Sequence, residues 1–218
     1  MNPRPQFPAK NGFTFTALLV IIAVLAVLAA MLLPALASAK RRAQRINCVN
    51  NLKQAGLAFR IWEGDNEDKF PMAVPSSQGG TMGFDTGVDT FRNYQVMSNE
   101  LGTARILICP SDTRVAARNF TSLSNQNVSY FVDLDANDAS PQMFLDGDRN
   151  ITGENEPENG ILKLVPGQTV SWTEAMHVNQ GNLGLSDGSV QEASDSDLHD
   201  ALQNSGDPTN VWRISLPE

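Results

Sequence analysis

The hydrophobic residues of this chain are concentrated in one block near its N-terminus. Of the 25 residues from Phe13 to Ala37, 22 are hydrophobic, and the stretch Phe13–Leu33 carries no charge. In a helix that rises about 1.5 Å per residue, this stretch is about 31 Å long, which matches the hydrocarbon core of a bilayer. A helix at the surface of a soluble domain keeps a polar side, and this run has none. The pattern therefore predicts a transmembrane helix over residues 13–33.

After this block the polarity pattern becomes that of an amphipathic helix. Hydrophobic side chains recur at intervals of three or four residues, at Ile46, Val49, Leu52, Ala55, Phe59 and Trp62. Polar residues such as Lys53 and Arg60 occupy the other side, and Gly64 is a helix breaker. We therefore expect one long helix over 13–63, in which the amphipathic part, 40–63, packs its apolar side against the rest of the protein.

The remaining residues, 64–218, contain short runs that are typical of β-strands and are bounded by Gly, Pro, Asn or Asp. These runs are Arg105–Cys109, Asn127–Leu134, Gln142–Asp146, Ile161–Val165, Thr169–Trp172 and Val211–Leu216. The predicted fold class is α+β, with one long N-terminal helix packed on a small antiparallel β-sheet head.

Three further segments of the head have a recognisable local pattern. Within Asn182–Ala193, Asp187 and Gly188 separate two alternating runs, and Asp-Gly in this position is a strong hairpin signal. Residues 72–100 have the composition of a loop. Asp197–Gln203 favours a short surface helix.

The net charge of −8 is unevenly distributed along the chain. Residues 46–218 contain 10 Lys and Arg against 24 Asp and Glu, a net charge of −14, whereas a basic cluster follows the apolar block at Lys40, Arg41, Arg42 and Arg45. An acidic exterior argues against nucleic-acid binding, because phosphates require a basic surface. We expect the basic cluster to face lipid headgroups or an acidic protein surface.

The apolar block could have one of three roles: a cleaved secretory signal, an uncleaved membrane anchor, or the N-terminal helix of a processed subunit. Ala37–Ala39 matches the cleavage site of a secretory signal, although the block is longer than the usual signal core of about 7–15 residues. An uncleaved membrane anchor is the second use. The third rests on the leader, residues 1–12, in which Lys10 and Gly12 come just before Phe13. This junction resembles the class III signal of type IV pilins and type II secretion pseudopilins.

The resemblance implies that a prepilin peptidase cuts between Gly12 and Phe13 and that the new N-terminal phenylalanine is methylated. Lys10 would supply the basic flank of the signal. Pro34 corresponds to the helix-loosening proline that pilins commonly carry, since proline removes one helical hydrogen bond. The chain departs from the family at Ala17, because the fifth mature residue is usually a glutamate that sets the assembly register. This departure suits a minor or divergent subunit.

Other stretches carry the same resemblance. They are the string NCVNNLKQAGLAFRIWEGDNEDKFP that begins at Asn47, the string LICPSD around Cys109, and the His-x9-Asp-Gly spacing of His177, Asp187 and Gly188. That spacing is similar to a C-terminal signature of prepilin-type proteins whose role is not established. We expect a fold-stabilising hydrogen bond between His177, at the end of a strand, and Asp187, in the next turn. A metal site at His177 would require further ligands.

Two indications of membrane orientation disagree. Only Arg4 and Lys10 precede the apolar block, whereas four basic residues follow it, and the positive-inside rule then places the C-terminal side in the cytoplasm. The resemblance instead places the leader in the cytoplasm and the head in the periplasm or outside the cell. We adopt the second orientation because the leader signature is the more specific observation.

Groups suited to catalysis are few in this sequence. The two histidines, His177 and His199, lie outside the common metal and nucleophile motifs. We therefore expect a non-catalytic protein.

Two acidic runs are candidate calcium loops. Asp133, Asp135 and Asn137 place oxygen ligands at alternating positions but lack the glycine and distal glutamate of an EF-hand. The run 146–150 is similar but contains an arginine. Some pseudopilins bind calcium in the head, and solvated loops are the competing interpretation.

The only cysteines are Cys48 and Cys109. They would remain free thiols in a reducing compartment, whereas an exported head would allow a disulfide. Such a bridge would tie the helix to the first predicted strand, and a loop of this length contributes about 4 kcal/mol in the chain-entropy model.

Together these observations predict a structural subunit of a type IV pilus-like fibre or a type II secretion pseudopilus, stored in the bacterial inner membrane as a single-pass protein. The expected partners are the membrane, the prepilin peptidase and methylase, and other pilin-like subunits. The alternative is a single-pass membrane-anchored module whose exterior head binds calcium or a glycan.

Overall fold

The computed structural model describes residues 14–84, 89–205 and 211–217. Lys10, Gly12 and Phe13 of the leader junction lie outside the described residues. The chain divides into two compact units, Met1–Lys40 and Arg41–Glu218.

The predicted long helix is confirmed as α1, Phe15–Gly64. Among the described residues, it is the one helix that is long and apolar enough to cross a membrane. Fourteen large hydrophobic side chains between Phe15 and Leu36 are exposed, each by at least 41%. The helix continues through Pro34, although proline has no N–H to donate to the preceding turn.

Within the second unit, α1 is amphipathic as predicted. The side buried in the head consists of Cys48, Leu52, Ala55, Gly56, Ala58, Phe59, Trp62 and Glu63. The expected stripe is wrong at its first position, because Ile46 is 48% exposed and Cys48 is fully buried instead. The buried stripe therefore begins at a cysteine rather than at a large aliphatic residue.

The head is built on an antiparallel six-stranded sheet in the order β4-β8-β1-β2-β6-β7, and β3 pairs separately with β5. The strands are β1 Tyr130–Asp133, β2 Phe144–Asp148, β3 Ile151–Gly153, β4 Ile161–Leu164, β5 Val170–Trp172, β6 Gly181–Leu185, β7 Val190–Ala193 and β8 Trp212–Ser215. This arrangement confirms the α+β class with a helix on an antiparallel sheet.

Two parts of the predicted secondary structure are wrong. Instead of a strand at Arg105–Cys109, the chain forms a 3-10 helix at Ala104–Leu107, because the Thr103 side chain accepts a hydrogen bond from the Arg105 N–H and starts a helical turn. The predicted loop at 72–100 contains α2, Thr90–Gln95, and α3, Ser98–Leu101.

The sheet separates two hydrophobic cores. One lies between α1 and the sheet and includes Leu52, Phe59 and Tyr130. The other lies on the opposite face, includes Phe131 and Trp212, and is covered in part by α4, Asp195–Asn204. Ser194 and Asp197 form a capping box at the start of α4, so the short helix predicted at Asp197–Gln203 is confirmed and begins slightly earlier.

Candidate functional site

Four polar side chains meet inside the head, under the buried side of α1. They are Cys48 on α1, Cys109 after the 3-10 helix, Asp148 at the end of β2, and His177 in the turn before β6. One potential ligand atom from each of the four lies within 4.8 Å of all the others. Both cysteines and Asp148 are fully buried, and the His177 side chain is 2% exposed. We refer to these four residues as the buried cluster.

Cys48 and Asp148 are placed by the packing of α1 on the sheet. Cys48 belongs to the buried side of the helix. Asp148 lies opposite Tyr130 in the β1–β2 ladder, so the two side chains share the sheet face that α1 covers. This pairing explains why the Cys48 Sγ lies 3.5 Å from the Tyr130 hydroxyl and 3.0 Å from the Asp148 Oδ1.

Cys109 is held against α1 by hydrogen bonds to the backbone on both sides of it. The Asn51 amide donates to the Ile108 carbonyl at 2.9 Å, and the Gln44 amide donates to the Pro110 carbonyl at 3.0 Å. The Ser111 N–H points back to the Cys109 Sγ at 3.4 Å. The sequence Cys-Pro-Ser-Asp therefore forms a tight turn that directs the sulfur inward and gives it a backbone donor.

His177 lies in a turn with an unusual backbone. His177, Val178 and Asn179 have φ angles of +48°, +55° and +55°, in the left-handed region that L residues rarely adopt. The Asn150 amide holds this turn through the carbonyls of Met176 and Gln180, at 3.2 and 3.0 Å. Consecutive residues in this region are strained, and such strain concentrates at functional sites.

His177 connects the other members of the cluster. Its Nε2 lies 3.2 Å from the Cys109 Sγ and 3.3 Å from the Asp148 Oδ2. The same Asp148 oxygen accepts hydrogen bonds from the backbone N–H and the side-chain amide of Asn182, at 2.8 and 2.7 Å. Asn182 on β6 thereby fixes the orientation of the carboxylate.

Burial and mutual contact perturb all four groups. Hydrogen bonding from Cys48 and His177 lowers the pKa of Cys109 to about 5, against the opposing effect of burial. Burial raises the pKa of Cys48, and it raises the pKa of Asp148 to about 7. Burial disfavours the charged imidazole, but contacts with Cys109 and Asp148 outweigh this effect and raise the pKa of His177. Of the four groups, only Cys109 has a lowered pKa, and the pKa of each of the other three is raised.

The arrangement differs from a Cys-His-Asp catalytic triad. In a triad, the nucleophile and the acid contact opposite ring nitrogens of the histidine. Here Cys109 and Asp148 both approach Nε2 of His177, and the Cys109 sulfur is fully buried. The cluster instead brings together sulfur, imidazole nitrogen and carboxylate oxygen. These are typical ligands of a divalent transition metal.

The two cysteines that the sequence suggested as disulfide partners are brought together by the fold. Both are free thiols in the structure. A bridge between them and a metal bound by them are mutually exclusive, because each state uses the same two sulfur atoms.

The expected hydrogen bond between His177 and Asp187 is wrong. Asp187 Oδ1 accepts from the Ser189 N–H at 2.8 Å within the β6–β7 turn, and His177 contacts Cys109 and Asp148 at the other end of β6. The predicted Asp-Gly hairpin is confirmed, with Gly188 at φ +83°.

The His-x9-Asp-Gly spacing instead places His177 before β6 and Gly188 after it, and both lie next to α1. His177 lies beside Cys48, and a Cβ added to Gly56 would lie 3.6 Å from the Gly188 Cα. Cys48 and Gly56 are separated by about 12 Å along the helix, and the five residues of β6 span about 13 Å. The strand and the helix segment from Cys48 to Gly56 are therefore similar in length.

At the first calcium candidate, some of the proposed ligand oxygens already have protein partners. Asp135 forms a bidentate ion pair with Arg213, with contacts of 2.7 to 3.1 Å. Asp133 Oδ1 accepts the Asp135 N–H, and the Asn137 amide donates to the Asp135 carbonyl. Arg213 thus supplies a positive charge at Asp135, and calcium binding by this run stays a prediction.

Sequence reasoning did not identify Asp148 as a partner of His177 and the cysteines. The four residues come from distant parts of the chain, with neighbours in sequence at least 29 positions apart, so no spacing motif connects them. The available signals were the two lone cysteines and the acidic run 146–150, whose register on β2 decides which carboxylate faces α1.

Asp146, two residues before Asp148, is a second buried carboxyl group, and it allows the effect of burial on a pKa to be tested. It is fully buried, and neither carboxyl oxygen has a hydrogen-bond partner among the described residues. Burial, together with the nearby Asp148, raises the pKa of Asp146 well above its usual value. The carboxyl is therefore neutral in the folded protein at pH values where it is ionised in the unfolded chain.

Asp146→Asn should increase stability at pH 7 and flatten its pH dependence. Because the folded pKa exceeds the unfolded one, stability is lost as the pH rises between the two values, by up to about 1.4 kcal/mol per pH unit. Urea unfolding at pH 4 to 8 should show an advantage of the variant that grows with pH. Parallel curves for the two proteins would contradict this description of Asp146.

No family model matches this chain, and neither the curated proteins nor the solved structures contain a match to it.

Proposed function

We propose that this protein is a non-catalytic, membrane-stored structural subunit that assembles through its apolar helix into a pilus-like fibre or secretion pseudopilus. The main support for this proposal is the composition and exposure of α1. Its first part is apolar on every side and exposed, and its later part forms the buried spine of a folded head.

The exposed apolar side chains require a non-aqueous environment. Removing each Leu, Val, Ile, Met or Phe from water contributes about 1.5–3 kcal/mol. With 14 such large side chains between Phe15 and Leu36, exposure to water would be strongly unfavourable. A bilayer and a bundle of neighbouring helices both satisfy this requirement, and a fibre subunit uses the first for storage and the second for assembly.

The leader junction supports assembly after processing. Lys10, Gly12 and Phe13 resemble the site of prepilin peptidase, and cleavage there would leave the apolar helix at the new N-terminus. Ala17 offers no carboxylate to pair with the terminal amine of a neighbour, so packing of apolar surfaces would determine the register. This property suits a subunit that joins a fibre made mainly of other pilin-like chains.

The first experiment determines the N-terminus of the protein isolated from membranes by mass spectrometry. We expect a chain that begins at N-methylated Phe13, and we expect Gly12→Val to abolish cleavage while the neighbouring control Asn11→Ala retains it. A chain that begins at Lys40 would indicate a secreted soluble protein. A chain that begins at Met1 would indicate an unprocessed anchor, and either result would contradict the proposal.

A second readout concerns assembly itself. Sheared cell-surface or periplasmic material should contain the protein in sedimenting fibres, and these should be lost from the Gly12→Val strain but not from the Asn11→Ala strain. Correct processing without any sedimenting polymer would favour a membrane-anchored binding module instead.

A further inference from the structure

The buried cluster has the composition of a closed metal site. It offers two sulfurs, one imidazole nitrogen and one carboxylate, all enclosed by α1 and the sheet. From this geometry we infer that Cys48, Cys109, Asp148 and His177 bind one Zn²⁺ ion as a structural site that fastens α1 to the head.

The distances fit a tetrahedral ion after a small expansion. With Zn–S near 2.3 Å and Zn–N and Zn–O near 2.0–2.1 Å, tetrahedral ligand atoms lie about 3.3 Å apart for N and O and about 3.5 Å apart for S and N or S and O. His177 Nε2 lies 3.3 Å from Asp148 Oδ2 and 3.2 Å from Cys109 Sγ, and Cys48 Sγ lies 3.0 Å from the other oxygen, Asp148 Oδ1. In these contacts each sulfur needs to move outward by only a few tenths of an ångström, and the remaining ligand pairs lie within 4.8 Å.

Surrounding donors already orient the ligands as they do around bound metals. The Asn182 amide and N–H occupy Oδ2 of Asp148, while Oδ1 faces Cys48. The Ser111 N–H points at the Cys109 sulfur, an arrangement that stabilises a thiolate. Such outer contacts fix ligand geometry and typically change metal affinity by about 10–100-fold when they are removed.

Charge favours a cation at this point. With both thiols deprotonated, the cluster offers two thiolates and one carboxylate within 4.8 Å of one another, and all four side chains are buried. Zn²⁺ would replace the thiol and imidazole protons, which pass to solvent, and would leave a site with a net charge of about −1. Arg45 lies nearby, bonded to the Gly181 carbonyl at 3.2 Å and to Asn182 Oδ1 at 3.4 Å, and it is paired with Glu192 at 3.3 Å.

Two features favour zinc in a structural role. Two thiolates with one imidazole select a borderline-soft ion, and four protein ligands leave no position for a substrate. A cavity of about 990 Å³, lined by His177, Pro110, Ser111 and Met176 among others, adjoins the cluster and gives the ion a route of entry.

The test uses the full chain purified in detergent with its thiols kept reduced. We expect about one zinc ion per chain by elemental analysis, and Co²⁺ substitution should give the absorption bands of a tetrahedral thiolate site. Cys109→Ser and His177→Ala should lose the metal. His199→Ala, which removes the other histidine on α4, is the matched control and should retain it.

A milder variant separates loss of metal from loss of folding. Asn182→Ala leaves all four ligands in place and should weaken zinc binding by about 10–100-fold in a competition titration. In thermal melts, added zinc should raise the midpoint of the wild type and of His199→Ala but not that of Cys109→Ser. Substoichiometric zinc that is insensitive to His177→Ala would overturn the inference. So would a Cys48–Cys109 disulfide, detected by alkylation and mass spectrometry, in zinc-free protein isolated directly from cells.

Discussion

Leu52→Ala should lower the free energy of unfolding of the head by about 2–5 kcal/mol. Leu52 is fully buried on the side of α1 that packs on the sheet, in the same core as Phe59 and Tyr130. Alanine removes the transfer free energy of the lost atoms and leaves a cavity that this close-packed interface cannot fully collapse. Urea unfolding of the full chain in detergent, followed by the fluorescence of its buried tryptophans, measures the loss.

The same helix offers a matched control. Leu57 lies five residues further on and is 58% exposed, so Leu57→Ala makes the same chemical change outside the core. We expect it to change stability by no more than about 0.5 kcal/mol in the unassembled protein. Equal effects of the two substitutions would mean that α1 does not pack on the sheet through the side described above.

Asp112→Asn should cost about 3–5 kcal/mol, because it removes one partner of a buried ion pair. The Asp112 side chain is fully buried, and the Arg149 guanidinium binds both of its oxygens at 2.8 Å. The Ser129 hydroxyl and the Thr113 N–H also donate to this carboxylate, at 2.8 and 2.7 Å. The asparagine keeps the shape but leaves the arginine, which is 22% exposed, without a counter-charge.

The effect of Asp112→Asn should depend on pH in a defined direction. Burial alone would raise the pKa of Asp112, but Arg149 and the hydrogen-bond donors together lower it below its usual value. The ion pair therefore stabilises the fold above the unfolded pKa of about 3.9, and this contribution is lost as the pH falls through the folded pKa. The difference between wild type and variant should be largest near pH 7 and should shrink below pH 4.

Lys163→Gln provides the comparison for this ion pair. Lys163 contacts Glu158 at 3.4 Å, and both side chains are more than half exposed. Such surface pairs contribute little to stability, so the unfolding midpoint should stay within error of the wild type. A loss comparable to that of Asp112→Asn would show that burial is not what gives the Asp112–Arg149 pair its strength.

The parts of the fold that could be predicted from sequence are those with local causes. The apolar block is long enough to span a bilayer as a helix, and the stripe from Leu52 to Trp62 repeats with the period of a helix. Asp187-Gly188 is a typical sequence of a tight hairpin turn. The 3-10 helix at Ala104–Leu107 was missed because its apolar residues resemble a short strand, and the deciding contact is a single cap from Thr103. For runs this short, periodicity alone does not distinguish the two structures.

The candidate site was much harder to predict than the fold around it. Cys48, Cys109 and His177 could be singled out as rare residue types, but their meeting depends on tertiary packing. Asp148 belongs to the site because strand register directs it toward α1, whereas Asp135, in an equally acidic run, pairs with Arg213. Register and long-range ion pairs are not encoded in any local pattern, so the same acidic composition produced two different outcomes.

The position of β8 has a consequence for the order of events during synthesis and export. This strand lies between β1 and β4, pairing Val132 with Ser215 on one side and Leu164 with Trp212 on the other. A chain that is made or translocated from its N-terminus therefore leaves β4 without its sheet partner until residues 212–215 arrive. The six-stranded sheet is therefore incomplete until these residues are present. The final strand then completes the sheet in one late, long-range step.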